Sequence, residues 1–128
     1  MHPAISVYAP IFGIFYVLLS IQVIRTRRRE KVGLGSGGNK LVERAMRVHA
    51  NFAEYVPMAL LLLLILEQLG GNALLLHGLF LTLLFGRLIH AWGVSQHQEN
   101  FRFRVAGMMM TFAVILTASL AIAALRLV

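Results

Sequence analysis

Arg47, Asn51 and Glu54 stand in the stretch Glu43-Arg44-Ala45-Met46-Arg47-Val48-His49-Ala50-Asn51-Phe52-Ala53-Glu54-Tyr55-Val56-Pro57. At i, i+4 and i+7 they fall on one face of a helix. The same helix runs on without a break into Met58-Ala59-Leu60-Leu61-Leu62-Leu63-Leu64-Ile65-Leu66, an apolar segment suited to a bilayer. A cation, an amide and a carboxylate are costly on a membrane-embedded helix, and such residues mark a substrate pathway. A plain ion pair that only fixes helix packing is the competing reading, and buried pairs contribute little net stability. With Glu43 and Arg44 added, the cluster is richer than packing needs, which favours a ligand.

Two further constellations belong with it. One is Gly86-Arg87-Leu88-Ile89-His90-Ala91-Trp92-Gly93, and the other is Phe101-Arg102-Phe103-Arg104. His49 and His90 are candidate hydrogen-bond donors lining a polar cavity. As metal ligands they lack support, because neither has a partner at i+4 and there are no cysteines. No metal is therefore expected. Tyr55 is either a ligand contact or an aromatic at a helix interface.

The elements that must position these groups are read from hydropathy. The chain has 128 residues, is 59% hydrophobic and only 13% charged, with a mean hydropathy of +0.77. Soluble domains are about half apolar and a quarter charged, so this is the composition of a membrane protein. Four apolar runs, about residues 3–24, 41–69, 73–94 and 104–125, are each long enough to cross a hydrocarbon core about 30 Å thick. The predicted fold is all-α: a single domain forming an integral membrane four-helix up-down bundle. The first run is read as a span rather than a signal peptide, since it lacks a basic n-region and is too long.

Net charge is +7, but the basic residues sit beside apolar spans. Anionic membrane lipids account for them better than nucleic acid does. Arg25, Arg27, Arg28, Arg29, Lys31, Lys40, Arg102 and Arg104 flank the first and third connections, while Gly70-Gly71-Asn72 carries no base. The positive-inside rule then puts those two connections in the cytoplasm, both termini outside, and the polar residues together near the cytoplasmic interface. The glycines of Gly33-Leu34-Gly35-Ser36-Gly37-Gly38 lack a phosphate loop's Gly-Lys-Ser/Thr ending and are read as a flexible connection.

Glu43-Arg44-Ala45-x-Arg47-x-x-x-Asn51-x-x-Glu54-Tyr55-x-Pro57 resembles the second-helix signature of the MAPEG family, the membrane-associated proteins in eicosanoid and glutathione metabolism. Gly86-Arg87-x-x-His90-x-x-Gly93, the arginine before the fourth helix and the four-span layout fit as well. The resemblance implies a homotrimer that binds glutathione between neighbouring subunits at the cytoplasmic end. Arg47, Asn51, Glu54 and Tyr55 would bind it, with Arg87 and His90 on the facing helix. His49 and His90 look more like the prostaglandin E synthase branch than the leukotriene synthase branch. Val94 departs from the eukaryotic synthases, which often carry a tyrosine there. The small size and short loops look more like bacterial members, which suggests an inner-membrane location.

For such a ligand the chemistry is direct. Glutathione carries two carboxylates, an ammonium and a thiol. Arg47 and a first-loop arginine, Arg25 or Arg28, could pair the carboxylates. Glu54 could meet the ammonium and Asn51 the peptide groups. The reactive species must be the thiolate, and a thiol of pKa about 8.5 is only a few per cent ionised at neutral pH. A nearby guanidinium favours the anion; Arg104 is the first candidate and Arg102 the second. The second reactant would be a lipophilic electrophile or hydroperoxide dissolved in the bilayer. Two other functions compete: a non-catalytic lipid-binding or scaffold member of the same family, and a small transporter. The transporter reading is weakened by the lack of internal repeats and of paired broken helices.

Overall fold

The computed structural model describes residues 3–96 and 98–127. His97, read from the sequence as a loop residue, lies outside the described residues. The four helices are α1 (Ala4–Glu30), α2 (Lys40–Gln68), α3 (Ala73–Ser95) and α4 (Phe101–Leu127), with no strand among the described residues. All four are long and apolar enough to cross a membrane. Short connections make sequential neighbours antiparallel. α2 is the centre of the bundle and packs on each of the other three, while α1 and α4 lie on opposite flanks and do not touch.

Local chemistry explains where each helix starts. Asn39 caps α2, its side-chain oxygen accepting from Leu41 N (2.9 Å) and Val42 N (3.2 Å). Asn72 does the same for α3 through Leu75 N (3.1 Å). α1 has no cap of its own; the Glu67 carboxylate of α2 accepts from the backbone N–H of Ala4 and, at 3.1 Å, of Ile5. A negative group at a helix N-terminus satisfies orphan donors and the dipole together. The Tyr8 hydroxyl meets His77 Nδ1 (3.1 Å) beside it, so this end of the bundle is also laced by polar contacts.

Helix limits differ from the sequence expectation at two places. α1 continues through Arg25–Glu30 instead of stopping near residue 24, and ends at Lys31 in a left-handed conformation (φ 57°). Charged side chains mark where a chain leaves hydrocarbon, but arginine and glutamate are good helix formers, so the helix has no reason to stop there. α4 begins at Phe101 rather than near residue 104, because the Asn100 side-chain oxygen accepts from Phe103 N and its carbonyl from Arg104 N.

The core runs along the inward faces: Phe12 and Leu19 of α1, Phe52, Ala59 and Leu63 of α2, Phe80 and Leu83 of α3, Val114 and Ala118 of α4. Tyr8 stacks on Phe80 with ring centroids 4.7 Å apart. The outward faces are apolar too, with Ile14, Val17 and Leu18 on α1 and Leu116 and Leu120 on α4 exposed. That inside-and-outside apolarity is what a bilayer solvent demands.

α3 and α4 form the closest pair, and glycine allows it. A Cβ on Gly107 would lie 2.6 Å from His90 Cβ and 2.9 Å from His90 N, with the Gly86 carbonyl oxygen nearer still. A Cβ on Gly93 would stand 2.9 Å from Phe103 Cβ and 3.0 Å from Arg104 N. Small residues at such crossings let backbones touch, the usual source of helix association in lipid. Here they bring Arg104 over the end of α3.

Candidate functional site

The start of α2, the end of α3 and the start of α4 meet at one end of the bundle, the end the sequence assigns to the cytoplasm. Between them is a cavity of about 450 Å³ whose wall includes Arg47, Asn51, His90 and Arg104. Lys40, Glu43, Arg44, Val94 and Glu99 complete it. Four cations thus face two carboxylates, an amide and an imidazole. Arg104 Nη1 donates to Glu99 Oε1 at 2.5 Å, and Arg44 Nη1 to the Gln96 carbonyl at 2.9 Å.

Behind this wall lies Arg87, 1% exposed and not part of the cavity lining. Its guanidinium joins three helices. Nη2 donates to Asn51 Oδ1 of α2 (2.5 Å) and to His90 Nδ1 of α3 (3.3 Å). Nη1 donates to Thr111 Oγ1 (3.4 Å) and Met108 Sδ (3.7 Å) of α4. The Thr111 hydroxyl in turn donates to the Gly107 carbonyl (2.9 Å), which leaves its lone pairs for Arg87. None of these partners is a carboxylate. The buried charge is held by neutral acceptors alone, and Nε has no partner among the described residues.

The residues singled out from the sequence separate into groups. Arg47, Asn51, His90 and Arg104 share the cavity, with Arg87 directly behind two of them. Glu54, at the midpoint of α2, is exposed, lies outside the lining and has no hydrogen-bond or ion-pair partner among the described residues. Tyr55 faces α4, its ring edge-on to Phe112 with centroids 5.5 Å apart. His49 faces α1: its Nε2 meets Ser20 Oγ at 3.0 Å and its ring stacks on Tyr16 at 4.9 Å. Arg102 is exposed and does not line the cavity. Arg25 and Arg28 are exposed near the end of α1, where Arg28 borders a separate shallow niche with Arg27 and Lys31.

Two residues were not singled out from the sequence and matter here. Glu99 sits five positions before Arg104, and an acid on the short loop leading to a helix is the signal that marks it. Thr111 gave a fainter one, as a hydroxyl one turn after Gly107 in the apolar stretch between Arg104 and Thr117.

Fold and site together define a four-span, all-helical membrane protein with a cation-rich cavity at one end of its bundle. The chain belongs to the MAPEG family, whose sequence pattern it matches over residues 5–124. It is 34% identical over 116 residues to "Inner membrane protein YecN" of Escherichia coli strain K12, covering 91% of this chain and 87% of that protein. The same figures hold for the YecN protein of Escherichia coli O6:H1.

Proposed function

We propose that this protein is a glutathione transferase of the bacterial inner membrane, working as a homotrimer and attacking a lipophilic electrophile or hydroperoxide with glutathione thiolate. The observation that carries the reading is the cavity: a charged pocket of about 450 Å³ at the bilayer edge, where Arg47, Asn51, His90 and Arg104 converge. Its volume falls within the usual range for a small-molecule site. Arg47 and Arg44 would suit the two carboxylates, and Glu43, on the same wall, would meet the ammonium. Arg104 would lie beside the sulfur and favour its anion. The electrophile would arrive from the lipid, and holding both reactants at one interface supplies much of the acceleration.

Glu54 supports the trimer. A carboxylate at the midpoint of a spanning helix is costly against lipid, so in this reading a neighbouring subunit covers that face of α2. Arg25 and Arg28, which do not line the cavity of one chain, would then be available to a neighbour's ligand. The relatives are named as inner membrane proteins, which agrees with four spans and the basic first and third connections.

Isothermal titration of the purified protein with glutathione, followed by a thiolate difference spectrum, tests binding and activation together. Arg104→Ala is expected to lose the thiolate band and at least tenfold in conjugation rate, about 1.4 kcal/mol of transition-state stabilisation. Full conjugation activity in both Arg104→Ala and Arg47→Ala would refute the site assignment.

A second reading, a non-catalytic lipid-binding member, draws on the apolar groove of about 390 Å³ between α1 and α2, lined by Phe12, Tyr16, Phe52 and Pro57. Lipid binding with no thiolate band would favour it.

A further inference from the structure

Arg87 touches Asn51 and His90 on the side away from the cavity, and it can only donate. A guanidinium has no acceptor, so the atom 2.5 Å from Nη2 is the Asn51 oxygen, and the Asn51 NH₂ is left for the cavity. The same logic applies to His90. Its Nδ1, 3.3 Å from Nη2, must be the lone-pair nitrogen, because an N–H there would point at another donor. The ring is then a neutral imidazole carrying its single proton on Nε2.

We infer that Arg87 is a positioning residue that sets the polarity of the cavity wall: it consumes the acceptors of Asn51 and His90 so that both present N–H donors to the ligand. Together with Lys40, Arg44, Arg47 and Arg104, this wall offers donors over most of its polar surface, and its exceptions are Glu43 and Glu99. The ligand groups it selects are acceptors: carboxylate, carbonyl and anionic sulfur. His90 therefore donates from Nε2 to the bound anion and does not take the thiol proton, which leaves for solvent through the open, charged end of the cavity. The ligand class rests on the glutathione reading above, whereas the tautomer does not.

Nitrogen NMR of histidine-labelled protein, with His90 assigned by loss of its signals in His90→Ala, reads the tautomer without any ligand. The expected result is a neutral His90 protonated at Nε2 with an acceptor Nδ1. Arg87→Gln, whose amide can donate or accept, is expected to release this preference and weaken glutathione binding about tenfold, the loss of one charge-assisted hydrogen bond. Arg87→Lys, again donor-only, is expected to keep the tautomer. A His90 protonated at Nδ1 or doubly protonated in the unaltered protein would overturn the inference, and that measurement needs no variant to fold. An unchanged tautomer in folded Arg87→Gln would overturn it too. If the tautomer is as expected and glutathione does not bind at all, the transferase reading fails and the role of Arg87 stands.

Discussion

Replacing Gly107 by alanine places a methyl carbon 2.6 Å from His90 Cβ and 2.9 Å from His90 N, and closer still to the Gly86 carbonyl oxygen. Ordinary contact between such atoms needs about 3.5 Å or more, so α3 and α4 must part by roughly 1 Å. The facing atoms belong to backbone and Cβ, and no flexible side chain can swing aside. The cost therefore belongs at the upper part of the usual overpacking range, about 1–3 kcal/mol. The site suffers as well. Arg87 Nη1 reaches Thr111 Oγ1 across this same crossing at 3.4 Å, already long for a hydrogen bond, and a further ångström breaks it. The two losses share one displacement and do not add. Gly107→Ala is expected to lower the unfolding midpoint in detergent and to weaken glutathione binding in parallel. Gly78→Ala is the control, since a Cβ there meets nothing within 4 Å. It should be neutral, or more stable by up to about 1 kcal/mol from helix propensity. A Gly107→Ala protein as stable as the unaltered one, binding glutathione equally well, would refute the close-packed crossing and its role in holding the site.

Glu99→Gln removes the carboxylate that pairs with Arg104. The pair is partly exposed, so stability should change by less than about 1 kcal/mol, while glutathione should bind more tightly because Arg104 no longer has to leave a competing anion. Weaker binding would instead make Glu99 a ligand for the ammonium. Glu67→Ala strips the acceptor from the first amides of α1 and should cost about 1 kcal/mol of stability. It lies at the opposite end of α2 from the cavity, so titration should give an unchanged affinity. A changed affinity with unchanged stability would contradict that separation.

The four spans were legible because each is a long apolar run, and the central stripe was legible in part because helical spacing puts Arg47 and Asn51 one above the other. Other faces were not resolved. His49 follows Arg47 by two residues, roughly 200° around a helix, and so turns to α1 and stacks on Tyr16. Tyr55 follows Glu54 by about 100° and meets Phe112 on α4. A motif written as a line hides these angles, and only the helices packed against α2 decide which face closes a cavity. Arg87 was legible as a charge in a span but not as a buried hub. Its partners Asn51 and Thr111 lie 36 and 24 positions away, and no local pattern announces them.

The charge distribution favours an anion as the proposed ligand and would couple its binding to the stability of the fold. Lys40, Arg44, Arg47 and Arg104 line a cavity whose carboxylates are Glu43 and Glu99, and Arg87 adds a buried charge behind it. At the edge of a low-dielectric region such an excess is repulsive and poorly screened. A ligand bringing carboxylates, and a thiolate, relieves it, and anything that binds only the folded state stabilises it by mass action. The polarity imposed by Arg87 adds direction to that attraction, because the two neutral groups it touches, Asn51 and His90, offer donors as well. In the proposed function, charge would draw an anion to the end of the bundle, and the fixed hydrogen bonds would decide which of its atoms sits against α3.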